Sequence, residues 1–154
     1  MIEVISFKTS LRIALLFAVV FFISCEKDDE PGPPFRVALL VDEAGIDDKT
    51  FNQSTYEGIL SANEEIPFSF EYRVGQEPTD YSGIISDFIA EGADLIVSPG
   101  YNMTRAMAEA AEQHQAVGFL LLDDQPDNIP PNMACGIFMS DQASFLCGFL
   151  AAYW

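Results

Sequence analysis

From residue 35 onward, short apolar runs alternate with longer amphipathic segments, and this alternation constrains the fold more than any other feature. Strands are predicted at 35–42, 68–74, 94–98, 117–123 and 133–139, and helices at about 50–65, 79–91, 102–115 and 141–153. The helical segments repeat their apolar residues at a period near 3.6, whereas the strand segments are short and rich in branched and aromatic residues. We therefore predict an α/β fold in which helices flank both faces of a parallel sheet.

Polar and aromatic residues follow the predicted strands where each one ends. Right-handed crossovers bring the carboxyl ends of parallel strands to one edge of the sheet, and ligands bind at that edge in open α/β folds. We expect six candidate ligand-binding residues to gather there: Asp42, Phe51, Asn52, Gly100, Tyr101 and Asp123.

An aromatic face, an amide and carboxylates together suit a planar heterocycle. Phe51 offers a face for stacking, Asn52 can donate and accept hydrogen bonds, and ionised Asp42 or Asp123 can accept from N–H or hydroxyl groups. Two alternatives stay open: Phe51 could be the first core residue of its helix, and Asn52 could only solvate the first helical turn. Asp123 is preferred to Asp124 because it directly follows the apolar strand.

The remaining loop residues have weaker signals. Gly100 could permit close approach of a ligand to the backbone, whereas Tyr101 could equally pack on a neighbouring helix. Asp48 lies at the turn that enters the first helix, where a carboxylate can accept hydrogen bonds from backbone N–H groups. We predict that Asp48 caps this helix and does not contact a ligand.

The first 24 residues have the order of a secretory signal peptide. Lys8 and Arg12 precede an apolar run at 13–23, which is too short for a comfortable membrane span. Ser24 and Cys25 follow and resemble a lipobox, in which the cysteine thiol is lipidated and becomes the mature N-terminus. The alternative is an uncleaved signal anchor with a buried Cys25.

A charged, proline-rich segment at 25–34 follows and is predicted to be an unpacked tether. The Lys-Asp-Asp sequence after Cys25 also resembles the acidic export signal of some bacterial surface lipoproteins, although an ordinary solvated linker would look the same.

The charge of the chain restricts its partners. The net charge is -17 at pH 7, and five bases and 23 acids lie beyond residue 24. Such a field repels phosphates and anionic headgroups, so nucleic-acid binding and peripheral membrane binding are disfavoured. A neutral or cationic small molecule is the favoured ligand.

Lipidation of Cys25 would leave two other cysteines, Cys135 and Cys147. Both lie among apolar neighbours, so we expect two buried free thiols and no disulfide. The single histidine, His114, leaves no Cys/His cluster at metal-ligand spacing. No metal site and no cofactor are therefore expected.

The loop and helix after the first strand also match a family signature. The matching residues are Asp42, Asp48, Lys49, Phe51, Asn52, Gln53, Ser54 and Gly58, with Thr50 where the signature usually has serine. This pattern resembles the basic membrane protein family, the PnrA-like substrate-binding lipoproteins of bacterial ABC importers that capture purine nucleosides. The segment 140–154 resembles the helix that opens the second lobe in that family.

The resemblance implies a type I periplasmic-binding fold, with 35–139 as the N-terminal lobe and 140–154 as the first helix of a truncated second lobe. It implies an ABC permease as partner and a location in the cell envelope, anchored to a bacterial membrane through Cys25. Four residues occupy the nucleoside-contacting positions of the family: Asp42, Phe51, Asn52 and Asp123.

Catalysis has little support in the sequence. We find no nucleophile elbow, no glycine-rich phosphate loop and no histidine suggestively placed beside a serine or cysteine. Neighbouring carboxylates such as Asp123 and Asp124 diverge and do not flank one bond. We therefore expect a binding protein and not an enzyme. The rival hypotheses are a binder of a sugar or another small solute on the same fold, a nucleoside-processing enzyme, and a surface module that binds no ligand.

Overall fold

The computed structural model describes residues 34–154. The described chain contains five strands and four α-helices, and one 3-10 turn at Tyr101–Met103 leads into the third helix. The strands are β1 (Arg36–Val41), β2 (Ser69–Val74), β3 (Leu95–Pro99), β4 (Gly118–Leu122) and β5 (Met133–Gly136). The helices are α1 (Phe51–Glu65), α2 (Tyr81–Ala90), α3 (Thr104–Gln113) and α4 (Ser140–Tyr153).

The five strands form one sheet in the order β2-β1-β3-β4-β5, and every pairing is parallel. Each of the first four strands is followed by a connection that returns the chain to the opposite end of the sheet, which is what parallel pairing requires. The parallel α/β fold predicted from the sequence is confirmed, and the predicted helices and strands differ from the observed ones mainly at their ends. The largest difference is β5, which ends at Gly136 although a strand was predicted to residue 139.

Alternate strand residues point to opposite faces of the sheet and build two separate cores. On one face, α2 and α3 cover Leu40, Ile96 and Leu121. On the other face, α1 covers a smaller core that contains Leu39 and Val97. In the described part of the chain, two helices cover the first face and α1 alone covers the second.

The last helix packs against neither core. No residue of α4 is buried, although the helix carries large apolar side chains. This corrects the prediction for the cysteines: both are free, but Cys147 on α4 is exposed and Cys135 is only half-buried. The sequence neighbours of Cys147 are apolar, but no described residue packs on α4 closely enough to bury them.

The predicted signal peptide at 1–24, the lipidation site Cys25 and nearly all of the predicted tether at 25–34 lie outside the described residues. Within 34–154, every helix is too short or too polar to cross a bilayer.

Gly75 provides a test of how tightly α2 packs on the sheet. A Cβ atom at this position would lie 2.5 Å from Cε1 of the buried Tyr81 ring, so we expect Gly75→Ala to destabilise the fold by about 1–3 kcal/mol. Gly83 in α2 is the matched control, because a Cβ atom there meets open space. Gly83→Ala should leave the free energy of unfolding unchanged or raise it by about 0.5–1 kcal/mol. Urea denaturation of both variants measures the difference, and equal midpoints would contradict the packing.

Candidate functional site

Three neighbouring strands end at the same level, and this alignment builds the site. Leu39 of β1 pairs with Val97 of β3, and Pro99 of β3 pairs with Leu122 of β4. The next residue after each strand end is Asp42, Gly100 and Asp123, respectively. Adjacent strands are about 4.8 Å apart, so the backbones of the two aspartates are separated by about 10 Å. We call this row of strand ends, with the loops that leave it, the carboxyl edge.

Asp42 is held in place by the first turn of α1. Asn52 Nδ2 donates to Asp42 Oδ1 over 2.7 Å, and the backbone N–H of Ala44 donates to the same oxygen over 3.2 Å. Asn52 is almost fully buried, with 4% of its surface exposed. Among the described residues, every hydrogen bond to this carboxylate ends on Oδ1, which leaves Oδ2 able to accept another donor. The predicted pair therefore lies together, with Asn52 orienting Asp42.

Phe51 is the first residue of α1 and remains 44% exposed. Its ring centroid lies 5.6 Å from that of Phe138, at an angle of 44°. Tyr56 and Ile59, further along the same helix, pack against the core instead. The structure thus favours an accessible aromatic face over the alternative that Phe51 begins the core of its helix.

The loop between β1 and α1 is organised by Asp48. Its Oδ1 accepts hydrogen bonds from the backbone N–H groups of Thr50 and Gln53 over 2.9 and 3.0 Å. Its Oδ2 accepts from the backbone N–H of Asn52 over 3.2 Å and from the Thr50 hydroxyl. Partial burial raises the pKa of Asp48, but these four hydrogen bonds outweigh it and lower the pKa to about 2. As predicted, Asp48 satisfies the N-terminal N–H groups of α1 and so fixes Phe51 and Asn52.

Gly100 begins the connection after β3 with a φ of 95°, a conformation that side chains rarely adopt. Its N–H donates to the Leu122 carbonyl over 2.8 Å and so continues the ladder between β3 and β4 by one residue. A Cβ atom at Gly100 would meet open space, so the glycine is required by its backbone angle. Tyr101 follows and is 72% exposed, so its ring is not packed on a neighbouring helix, which was the alternative considered from the sequence.

The two adjacent aspartates after β4 have different environments. Asp124 Oδ2 accepts a hydrogen bond from the Thr104 hydroxyl at the start of α3. Asp123 is bonded through its backbone, since its N–H donates to the Gly136 carbonyl over 2.7 Å. Asp123 also has a φ of 72°, which is unusual for a residue with a side chain and is found preferentially at functional sites. Of the two, Asp123 has the carboxylate that is not already bound to a neighbouring helix.

Tyr81, the first residue of α2, is not among the candidate residues predicted from the sequence. It is buried, and its hydroxyl has no hydrogen-bond partner among the described residues. Burial raises the pKa of Tyr81, and the negative charges of Glu43, Asp42 and Asp80 raise it further. The phenol therefore stays protonated at neutral pH, and its hydroxyl is a hydrogen-bond donor that no described residue accepts. The sequence could not have identified this unpaired hydroxyl, because Tyr81 looks like any other tyrosine in the apolar pattern of a helix.

The chemistry of the carboxyl edge is that of an acceptor-rich site beside an aromatic ring. Within residues 34–154, no three Cys, His, Asp or Glu side chains converge as metal ligands would. Asp42 and Asp123 can accept from N–H and hydroxyl donors, while Phe51 offers a stacking face. Such a site is suited to orienting a small, flat, donor-rich molecule.

Comparison with known proteins gives a family match over nearly all of the described residues. Residues 35–154 match the sequence model described as "ABC transporter substrate-binding protein PnrA-like". The "CD4+ T-cell-stimulating antigen" of Listeria innocua is 30% identical over 129 residues, which cover 80% of this chain and 36% of that protein. "Basic membrane protein A" of Borreliella burgdorferi is 27% identical over 145 residues, covering 92% of this chain and 42% of that protein. The chain thus spans less than half the length of these relatives.

Two solved structures share the fold. A solute-binding protein of an ABC transporter system from Aeropyrum pernix K1 superposes with a TM-score of 0.71 at 23% identity, covering 77% of this chain and 32% of that one. A fragment of a putative lipoprotein from Peptoclostridium difficile 630 superposes with a TM-score of 0.63 at 18% identity, covering 77% of this chain and 97% of that one.

Because Asp48 caps α1, the stability of the fold is expected to change with pH in the acidic range. Its folded-state pKa of about 2 lies below the ordinary value of 3.8, so the carboxylate stabilises the fold above about pH 4, and this contribution is lost as the pH falls toward 2. We expect Asp48→Ala to lower the free energy of unfolding by about 1 kcal/mol at pH 7 and by less at pH 3. The neighbouring exposed Asp47 is the control, and Asp47→Ala should have little effect at either pH. Urea titrations at both pH values measure this; a deficit that grows toward pH 3 would contradict it.

Proposed function

Because this chain belongs to the family of PnrA-like ABC transporter substrate-binding proteins, we propose that its carboxyl edge binds a purine nucleoside for a bacterial importer. The observation that carries the proposal is the alignment of Asp42, Gly100 and Asp123 at one level, with the exposed ring of Phe51 beside them. Since the chain spans less than half the length of its relatives, this edge is one wall of the proposed site.

In the proposed complex, the nucleobase stacks on Phe51, which is accessible at the first turn of α1. Oδ2 of Asp42 accepts from a ring N–H, an exocyclic amine or a ribose hydroxyl, while Asn52 keeps the carboxylate oriented through Oδ1. Asp123 accepts from the other end of the ligand, because about 10 Å between the two backbones is comparable with the long dimension of a nucleoside. Gly100 forms the floor between the two acids, and Tyr101 borders it.

The negative charge of the chain supports the same ligand class. A net charge of -17 disfavours nucleotides, whose phosphates it repels, but leaves an uncharged nucleoside unaffected. A sugar offers hydroxyl donors to the two acids but gains less from the flat face of Phe51, so the aromatic residue favours a nucleobase.

Delivery to a permease requires the protein to stay at the membrane. We include in the proposal lipidation of Cys25, a tether at 25–34 and recognition by an ABC permease at a bacterial membrane. The names of two relatives support an envelope location: "Basic membrane protein B" of Borreliella burgdorferi and "Uncharacterized lipoprotein PH1714" of Pyrococcus horikoshii.

Amide chemical shifts of the isotope-labelled protein test the ligand class. Millimolar inosine or guanosine should shift the amides of Asp42, Phe51, Gly100 and Asp123, whereas ribose and glucose should not. Phe51→Ala should abolish the shifts because the stacking face is lost, and Ile66→Ala, which removes another exposed apolar side chain at the end of α1, should preserve them. Shifts of equal size with ribose or glucose would support the alternative that the protein binds a sugar or another small solute. Inosine hydrolysis that is lost in Asp123→Ala would support an enzyme, and either result would overturn the proposal.

Titration calorimetry tests whether the carboxyl edge alone is enough to bind the ligand tightly. Phe51 is open to solvent, and a small-molecule site normally buries most of its ligand. We therefore expect residues 25–154 to bind inosine with a dissociation constant well above micromolar. A micromolar constant would mean that the described edge encloses the ligand by itself.

A further inference from the structure

Two loops of the carboxyl edge are joined by a side-chain hydrogen bond. The hydroxyl of Thr104, the first residue of α3, donates to Oδ2 of Asp124. Asp124 directly follows Asp123, and both residues of the bond are half-buried. The bond therefore ties the loop that follows β4 to the connection that follows β3, although its two residues lie 20 positions apart in the sequence.

Asp123 has a backbone conformation that a residue with a side chain does not favour. Its φ of 72° lies in the left-handed region, where the Cβ atom comes close to the following carbonyl oxygen. Such a conformation persists only when the surrounding structure imposes it. The connection after β3 also has a positive φ, of 95°, but there the residue is Gly100, which has no Cβ. Asp123 must therefore be held by its contacts.

Hydrogen bonds hold the chain on both sides of Asp123. The ladder between β3 and β4 ends at the Leu122 carbonyl, which accepts over 2.8 Å from the first residue after β3. The N–H of Asp123 donates to the Gly136 carbonyl over 2.7 Å, and these two bonds fix the chain up to the Asp123 amide. Among the described residues, the next hydrogen bond along the chain is the one that Asp124 accepts from Thr104. That bond therefore fixes the chain on the other side of Asp123.

The chemistry of the pair suits this task. A hydrogen bond from a hydroxyl to a carboxylate is charge-assisted and is stronger than one between neutral groups. The bond also places Asp124 at the start of α3, where the N-terminal end of a helix favours a negative charge. Gly100 leads into α3 through the 3-10 turn, in which the N–H of Met103 donates to the Gly100 carbonyl over 3.3 Å. Asp124 is thus bonded to a segment that is itself fixed.

We propose that Thr104 and Asp124 are positioning residues of the ligand site, and that their hydrogen bond keeps Asp123 in its left-handed conformation with its carboxylate at the carboxyl edge. This inference rests on the proposed function, because Asp123 is there the residue that accepts a hydrogen bond from the ligand. Neither Thr104 nor Asp124 is expected to contact the ligand. The adjacent aspartates then have separate tasks, since Asp124 holds the loop and Asp123 binds the ligand.

Four variants of the isotope-labelled protein separate this role from a general effect on stability. Thr104→Val removes the hydroxyl but keeps the shape of the side chain, whereas Thr104→Ser keeps the hydroxyl. Asp124→Ala removes the acceptor, and the double variant with Thr104→Val and Asp124→Ala removes both partners. The matched control is Thr79→Val, the same substitution at an exposed residue in the loop before α2.

The first measurement is the rate of amide hydrogen exchange, which needs no ligand. Without the bond the loop opens more often, so Thr104→Val and Asp124→Ala should each raise the exchange rate of the Asp123 amide about tenfold. The Phe119 amide donates to the Asn132 carbonyl over 2.9 Å toward the other end of β4. Its exchange rate should stay unchanged, which would show that the core is intact.

The second measurement is the slope of the Phe51 amide shift against inosine concentration. Phe51 lies beyond the loop that follows β1, so it reports binding from a different loop. We expect the slope to fall about tenfold in Thr104→Val and in Asp124→Ala, the loss that follows when a hydrogen bond to a charged group is removed. The double variant should bind no more weakly than either single variant, because both remove the same bond. Thr104→Ser and Thr79→Val should bind like the unchanged protein.

An unchanged exchange rate of the Asp123 amide in Thr104→Val would overturn the inference, as would an unchanged inosine slope or losses that add up in the double variant. Faster exchange of Phe119 together with Asp123 would show that the pair only stabilises the fold, and would also overturn it. The proposed function fails in a different way, when the unchanged protein itself shows no response to inosine. That result would remove the ligand role, while the exchange rates would still decide whether the pair holds Asp123.

Discussion

The parallel pairing of β1, β3 and β4 is the constraint on which the other features depend. Its register brings the ends of the three strands to one level, so residues distant in sequence become neighbours. A slip of one residue would turn every side chain of a strand to the opposite face. Leu121 would then leave the core under α2 and α3, and Asp123 would move out of line with Gly100. The core and the candidate site are therefore specified by the same hydrogen bonds.

Two sets of hydrogen bonds hold the candidate site in place, one made by Asp48 and one made by Asn52. Asp48 satisfies the first N–H groups of α1 through four hydrogen bonds, which fixes the start of the helix. That start presents Phe51 to solvent and turns Asn52 inward, where its amide holds Asp42. Asp48 is not expected to contact the ligand, yet it determines the positions of Asp42, Phe51 and Asn52, which are. The same hydrogen bonds lower the pKa of Asp48.

Within residues 34–154, the two sheet faces differ in how completely they are covered. α2 and α3 close one face, whereas α1 leaves a groove on the other. α4 is apolar and fully exposed.

Much of the candidate site could be predicted from the sequence, because strand ends in a parallel sheet converge wherever the strands are recognised. Asp42, Gly100 and Asp123 were identified in this way and do lie in a row. The role of each residue was harder to predict from the sequence, because it depends on hydrogen bonds to residues that are distant in the sequence. The sequence could not indicate that Asn52 is bound to Asp42, or that Asp124 and not Asp123 is held by Thr104. Nor could it distinguish the buried hydroxyl of Tyr81 from any other tyrosine on an apolar helix face.

The apolar patterning of the chain by itself determined the α/β class, the parallel sheet and the edge where the candidate residues gather, because the periodicity of each segment and the handedness of each crossover do not depend on the rest of the fold. Only the tertiary structure decided which apolar segments found a surface to pack on. Cys147 has the apolar neighbours of a core residue, yet it is exposed because burial requires a partner surface at the right distance and angle. That requirement is a property of the whole assembly of elements, and no single segment encodes it.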